Sequence, residues 1–158
     1  MTDQVAHGGV GPADLNRIAF SATAHCLTGC AIGEILGLAI ASELGWRNFP
    51  SIALAVVLAF FFGYSLTLVP LLRSRIALRQ ALPIAFASDT LSIAVMEFVD
   101  NAIVLVIPGA MEAGLGDALF WGSLAVALAI AFASAFPVNR LLIARGKGHA
   151  VVHSRHGH

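Results

Sequence analysis

Residues 52–72 read IALAVVLAFFFGYSLTLVPLL, a run without a charged side chain. As a helix rising about 1.5 Å per residue it is long enough to cross the hydrocarbon core of a bilayer. Three further apolar runs flank it: Ile18 to Leu44, Leu82 to Ile107, and Ala118 to Ile143. Turn chemistry separates them at Gly45 to Pro50, at Arg73 to Gln80, and from Pro108-Gly109 through Asp117. The runs are too long and too continuously apolar for the strands of a membrane barrel. The first is also too long for a signal-peptide core, and no A-x-A-like site follows it. The expected fold is all-α and integral to the membrane, a bundle of four transmembrane helices at about 18–44, 52–72, 82–107 and 118–143. Residues 1–17 are expected to form a short disordered segment, residues 18–145 the transmembrane domain, and residues 146–158 a His-rich tail.

Composition supports the same solvent. Of 158 residues, 58% are hydrophobic and 11% charged, and the mean hydropathy is +0.86; a soluble domain has about 25% charged residues. Nine basic residues balance nine acidic ones, so the chain has no basic field for nucleic acid. The lipid bilayer is the expected partner.

The basic residues set an expected orientation. Arg17, Arg73, Arg75, Arg79, Arg140, Arg145, Lys147 and Arg155 share one side of a four-crossing chain, whereas Arg47 stands alone on the other with Glu43, Glu112 and Asp117. The positive-inside rule then puts both termini in the cytoplasm, with the chain multi-pass in the inner (plasma) membrane. Trp46 and Trp121 fall at the outer ends of the first and fourth helices, where amphipathic rings favour the headgroup layer. Reporter fusions after Arg47 and after Asp117 are expected to read external, and one after Arg79 internal; an internal signal at Arg47 would overturn the charge argument.

Charges inside the runs are all acidic. Glu34, Asp89, Glu97 and Asp100 fall within apolar segments and no basic residue does, apart from Arg140 at the end of the fourth. An ionised acid at that depth costs several kcal/mol, so each carboxyl must be protonated, hydrated or neutralised by a bound cation.

The first helix presents two neighbouring ridges at steps of four. One, through Ser21, His25, Gly29, Gly33, Gly37 and Ala41, is a small-residue seam suited to close helix packing, either within the chain or between two copies of it. The other carries Cys26, Cys30 and Glu34. Two cysteines alone read as small apolar filler, and a lone histidine as a backbone-bonded side chain. Their conjunction with a carboxyl suggests a cation site with soft and hard donors, although it lacks the spacing of a paired C-x-x-C zinc site. The third helix gathers Asp89, Ser92, Met96 and Asp100 in one sector, with Glu97 nearby. Counting about 1.5 Å per residue from each cytoplasmic end, His25 and Asp89 lie about 10 Å deep, and Glu34 and Glu97 about 23 Å deep. Two polar layers are expected, the inner also near Tyr64, Ser65 and Ser134. The level match suggests that Asp89 orients the His25 imidazole.

The chain resembles a family of small bacterial four-helix membrane proteins, domain of unknown function 4396. The likeness runs from His25-Cys26 and Gly29-Cys30 with Gly33-Glu34, through Ser88-Asp89-Thr90, to Phe136-Pro137-Val138-Asn139. It implies the topology and the choice of polar positions, and adds no reaction.

The leading expectation is an intramembrane cation site formed by His25, Cys26, Cys30, Glu34, Asp89, Glu97 and Asp100. Copper or zinc is favoured because thiol and imidazole lie near carboxylates, and the ion would be bound or transported. The alternatives are a thiol-redox enzyme using Cys26 and Cys30, or a structural or assembly subunit with protonated carboxyls. The enzyme is disfavoured because two cysteines one turn apart are poorly directed for a disulfide. The tail adds His149, His153, His156 and His158, whose imidazoles bind such metals without implying function.

Overall fold

The structure is a computed structural model, and it describes residues 11–46 and 49–145. The His-rich tail, residues 1–10 and Arg47 lie outside the described residues. The described residues form four helices and no strand: α1 (Pro12–Glu43), α2 (Phe49–Arg73), α3 (Leu78–Val106) and α4 (Ala118–Ala144). Each is long and apolar enough to cross a membrane. The chain is a multi-pass membrane protein by that measure.

Both α1 and α3 begin earlier than their apolar runs. Pro12 starts α1 with a fixed helical φ and no amide hydrogen to leave unpaired, and Asp14 complements the helix dipole in the first turn. Residues 12–17, expected to be disordered, are therefore the first turns of α1. Leu78 starts α3 after an extended Ala77, four residues before Leu82, because the polar Arg79 and Gln80 can extend a helix beyond the lipid as readily as apolar residues within it.

Two helices end in the same way. Gly45, with φ of 67°, follows Leu44, and the amides of Gly45 and Trp46 donate to the carbonyls of Ser42 and Ala41. That left-handed cap satisfies orphan carbonyls and turns the chain. At the end of α2, Arg75 takes the same conformation (φ 61°), and the amides of Arg75 and Ile76 donate to Leu72 and Leu71. A non-glycine residue is strained there. Pro70, Pro83 and Pro137 lie within α2, α3 and α4 rather than terminating them.

Short connections make sequential helices antiparallel. A Cβ added to Gly29 would lie 2.6 Å from Gly63 Cα, one added to Gly37 would lie 2.5 Å from Ala55 Cα, and one added to Gly33 would meet the Ala59 backbone. The glycine seam is thus filled by α2 of the same chain. The answering stripe is Ser51, Ala55, Ala59, Gly63 and Thr67, all buried at steps of four. Such small residues let van der Waals contact hold helices together where lipid supplies no hydrophobic drive. α4 continues the pattern with Ala127, Ala131 and Ala135. Larger apolar groups such as Phe61, Phe98 and Val126 point outward, as expected of a lipid-facing surface.

Candidate functional site

All four acids of the apolar runs turn inward: Glu34 is 4% exposed, Asp89 0%, Glu97 4% and Asp100 3%. Both Cys26 and Cys30 are buried free thiols, and His25 is half-buried. The parallel course of α1 and α3 brings these residues together in two groups along the bundle, as the two-layer reading anticipates.

The group nearer the termini centres on Asp89. Ser88 Oγ donates to Asp89 Oδ1 at 2.8 Å, and Cys26 Sγ lies 4.0 Å from the same oxygen, at the outer limit for a sulfur donor. Thr67 of α2 and His25 of α1 both face the Asp89 carboxyl. His25 Nε2 pairs with Thr67 Oγ1 at 3.2 Å, the tautomer deciding which atom donates. His25 and Asp89 thus fall in one group at the same level, and the imidazole's bond there is to Thr67 of α2.

Beside this group, Asn139 of α4 donates through its amide to Thr23 Oγ1 and to Ser92 Oγ, both at 2.9 Å. Thr23 passes its own proton to the Ala19 carbonyl at 2.7 Å. One asparagine so ties α1, α3 and α4 in a polar node. Each bond in lipid is worth about 0.6 to 2 kcal/mol.

The second group lies nearer the helix connections. Glu34 meets the Asp100 carboxyl, with Glu97 close to both, and Cys30 contacts Glu97. Among the described residues no hydroxyl, amide or basic group donates to either oxygen of Glu34 or Glu97, or to Asp100 Oδ1. Two ionised carboxylates cannot donate to one another, so the contact between Glu34 and Asp100 calls for a shared proton or a bridging cation. Among the described residues no lysine or arginine is buried. Asn101 directs its amide to the Glu97 backbone carbonyl at 2.8 Å instead of a carboxyl.

A cavity of about 260 Å³ opens beside this group between the α1–α2 and α3–α4 connections. Glu34 and Asp100 line it, and Leu38, Ile52, Val104 and Phe120 supply apolar wall. Trp46 and Met111 also border it. Trp121 lies outside the wall, its Nε1 donating to the Leu115 carbonyl at 2.8 Å.

The seven residues read from sequence thus divide into His25, Cys26 and Asp89 in one group, and Cys30, Glu34, Glu97 and Asp100 in the other. Among the described residues no three His, Cys, Asp or Glu side chains converge closely enough to hold a metal ion as they stand; the donors meet in pairs. Three other polar residues stay apart. Tyr64 bonds Thr90 on the exposed α2–α3 side at 2.8 Å, and Ser65 and Ser134 bond carbonyls of their own helices. Sequence reading missed Thr67 and Asn139 as partners, although Thr67 continues the small-residue stripe of α2 and Asn139 is a polar residue within an apolar run.

No curated protein and no solved structure matches the chain. The model of one family, described as a domain of unknown function, matches residues 16–148, which contain all four helices apart from the first turn of α1. The chain belongs to that family, domain of unknown function 4396.

Proposed function

We propose that this protein binds a cation within its membrane bundle, at the group formed by Cys30, Glu34, Glu97 and Asp100. The observation that carries the reading is the burial of three acids and a thiol together, with no lysine or arginine buried among the described residues. A carboxylate buried without a counter-charge is strongly unfavourable. A cation removes that penalty while using the same oxygens as ligands.

The thiol selects the kind of cation. Carboxylates alone suit hard ions, whereas a thiolate beside them suits Cu(I) or Zn(II). The paired arrangement requires one side chain, Glu97 or Glu34, to rotate before three donors converge on a metal. The cavity supports loading from the end that bears the α1–α2 and α3–α4 connections, and transport would continue from there past Cys26 toward Asp89 and His25. A second reading rests on the direct Glu34–Asp100 contact: carboxyls sharing a proton would serve as interhelical glue in a structural subunit.

Metal retention separates the two. The full chain with His149, His153, His156 and His158 all replaced by Ala removes the tail imidazoles while leaving the bundle untouched. In lipid nanodiscs it is expected to keep stoichiometric Zn(II) or Cu(I) through desalting near neutral pH. Retention should fall as pH falls, because ligands that must shed protons to bind metal are protonated more readily in acid. If no metal is retained at any pH between about 5 and 8, the metal reading fails and the shared-proton reading replaces it.

A further inference from the structure

The cavity offers more surface than a bare ion uses. Its floor holds two buried acids, Glu34 and Asp100, with oxygens that lack donors. Its wall above them is mainly apolar, through Leu38, Ile52, Val104 and Phe120, with Ser42, Ser51, Ser123, Asn101 and Glu112 among them. A hydrated inorganic ion gains nothing from the apolar part of that wall, whereas a ligand with a charged head and an apolar body uses both parts. Small-molecule sites have this make-up: a mostly apolar concavity with a few convergent polar groups. Among the described residues no basic side chain lines the cavity, and the indole of Trp46 at its border can face a cation through its π system.

We propose that the cavity binds an organic ammonium ion, its nitrogen on Glu34 and Asp100 and its alkyl part against Leu38, Ile52 and Val104. This deepens the cation reading above by naming a substrate class for the same two acids, and it requires neither thiol. Two sources share the chemistry, a free alkylamine and the ethanolamine headgroup of a lipid.

The test uses n-hexylammonium chloride titrated onto the full chain in phosphatidylglycerol nanodiscs, read by the fluorescence of Trp46 in a Trp121→Phe background. Saturable binding is expected, with the neutral isostere 1-hexanol weaker by at least about tenfold. Glu34→Gln and Asp100→Asn should each weaken hexylammonium by a similar factor. Leu38→Phe crowds the cavity with both acids in place and adds no second indole to the readout; it should weaken binding by at least about tenfold, so the result does not depend on the acid variants folding. Metal retention measured on the same protein keeps the two failures distinct: saturable hexylammonium binding without retained Zn(II) or Cu(I) overturns only the metal reading, and retained metal with hexanol binding as well as hexylammonium overturns only this one. Adding phosphatidylethanolamine assigns the source: lost hexylammonium affinity identifies the headgroup, and unchanged affinity identifies a free amine. Equal binding of hexanol and hexylammonium, or full binding by Leu38→Phe, overturns the proposal.

Discussion

Gly33→Leu is expected to stop α1 and α2 from closing on one another and to leave a protein that unfolds or aggregates where the parent stays monodisperse. Even a methyl group at Gly33 would run into the backbone of Leu58 and Ala59, which cannot swing aside as a flexible side chain can. The helices would have to separate, breaking the neighbouring approaches of Gly29 to Gly63 and Gly37 to Ala55. Overpacking of that kind costs about 3 kcal/mol or more where the obstacle is main chain. Gly122→Leu supplies the control, since nothing lies within 4 Å of a Cβ built there. That change should be neutral or mildly stabilising, because a helical glycine is itself unfavourable by about 1 kcal/mol. Thermal unfolding in detergent, followed by size-exclusion chromatography, reads both variants. If Gly33→Leu keeps the parental unfolding temperature and merely shifts an oligomer to a monomer, the seam lies between copies and the internal packing is wrong.

That seam shows what a single sequence can and cannot display. Gly29, Gly33 and Gly37 stand out because glycine is costly in a helix interior and recurs at a spacing that lines one face. Their partner was harder to see. In α2 the answering stripe of Ser51, Ala55, Ala59, Gly63 and Thr67 contains only one glycine and is diluted by phenylalanines and valines that face outward. In lipid both faces of a helix are apolar, so hydrophobicity no longer separates inside from outside and residue size must do so. The choice between internal packing and a homo-oligomer therefore waited on the structure.

The acids were legible for the opposite reason. Polar atoms are rare in a membrane helix and almost always face the bundle interior, so Glu34, Asp89, Glu97 and Asp100 marked the core from sequence. Counting helical rise even placed His25 level with Asp89. Sequence could not say that Thr67 would join them, or that the two groups would meet their donors in pairs. Those facts depend on the rotation of α2 and α3 about their axes, which the fit of small residues sets. The start of α1 at Pro12 was missed because a hydropathy boundary reports where lipid ends, and a helix can continue beyond it.

The division of the site into two groups separates the roles of two cysteines that share one ridge. Cys30 contacts Glu97 and lies beside Glu34, whereas Cys26 faces Asp89 and Ser92. If a soft cation binds in the acidic group next to the cavity, its sulfur ligand is Cys30. Cys30→Ser is then expected to reduce Cu(I) retention by about two orders of magnitude, since an oxygen donor is a poor substitute for a thiolate toward a soft ion. Cys26→Ser should leave equilibrium retention within about threefold of the parent. Serine preserves the size of each side chain, so a general loss of packing would affect the two variants alike. Measured in the protein lacking the four tail imidazoles, equal losses for both variants would place the metal between the groups instead of at the cavity floor. A loss confined to Cys26→Ser would move the site to Asp89 and His25. Glu97→Gln should fall with Cys30→Ser, because the amide keeps an oxygen donor but discards the charge that offsets the cation.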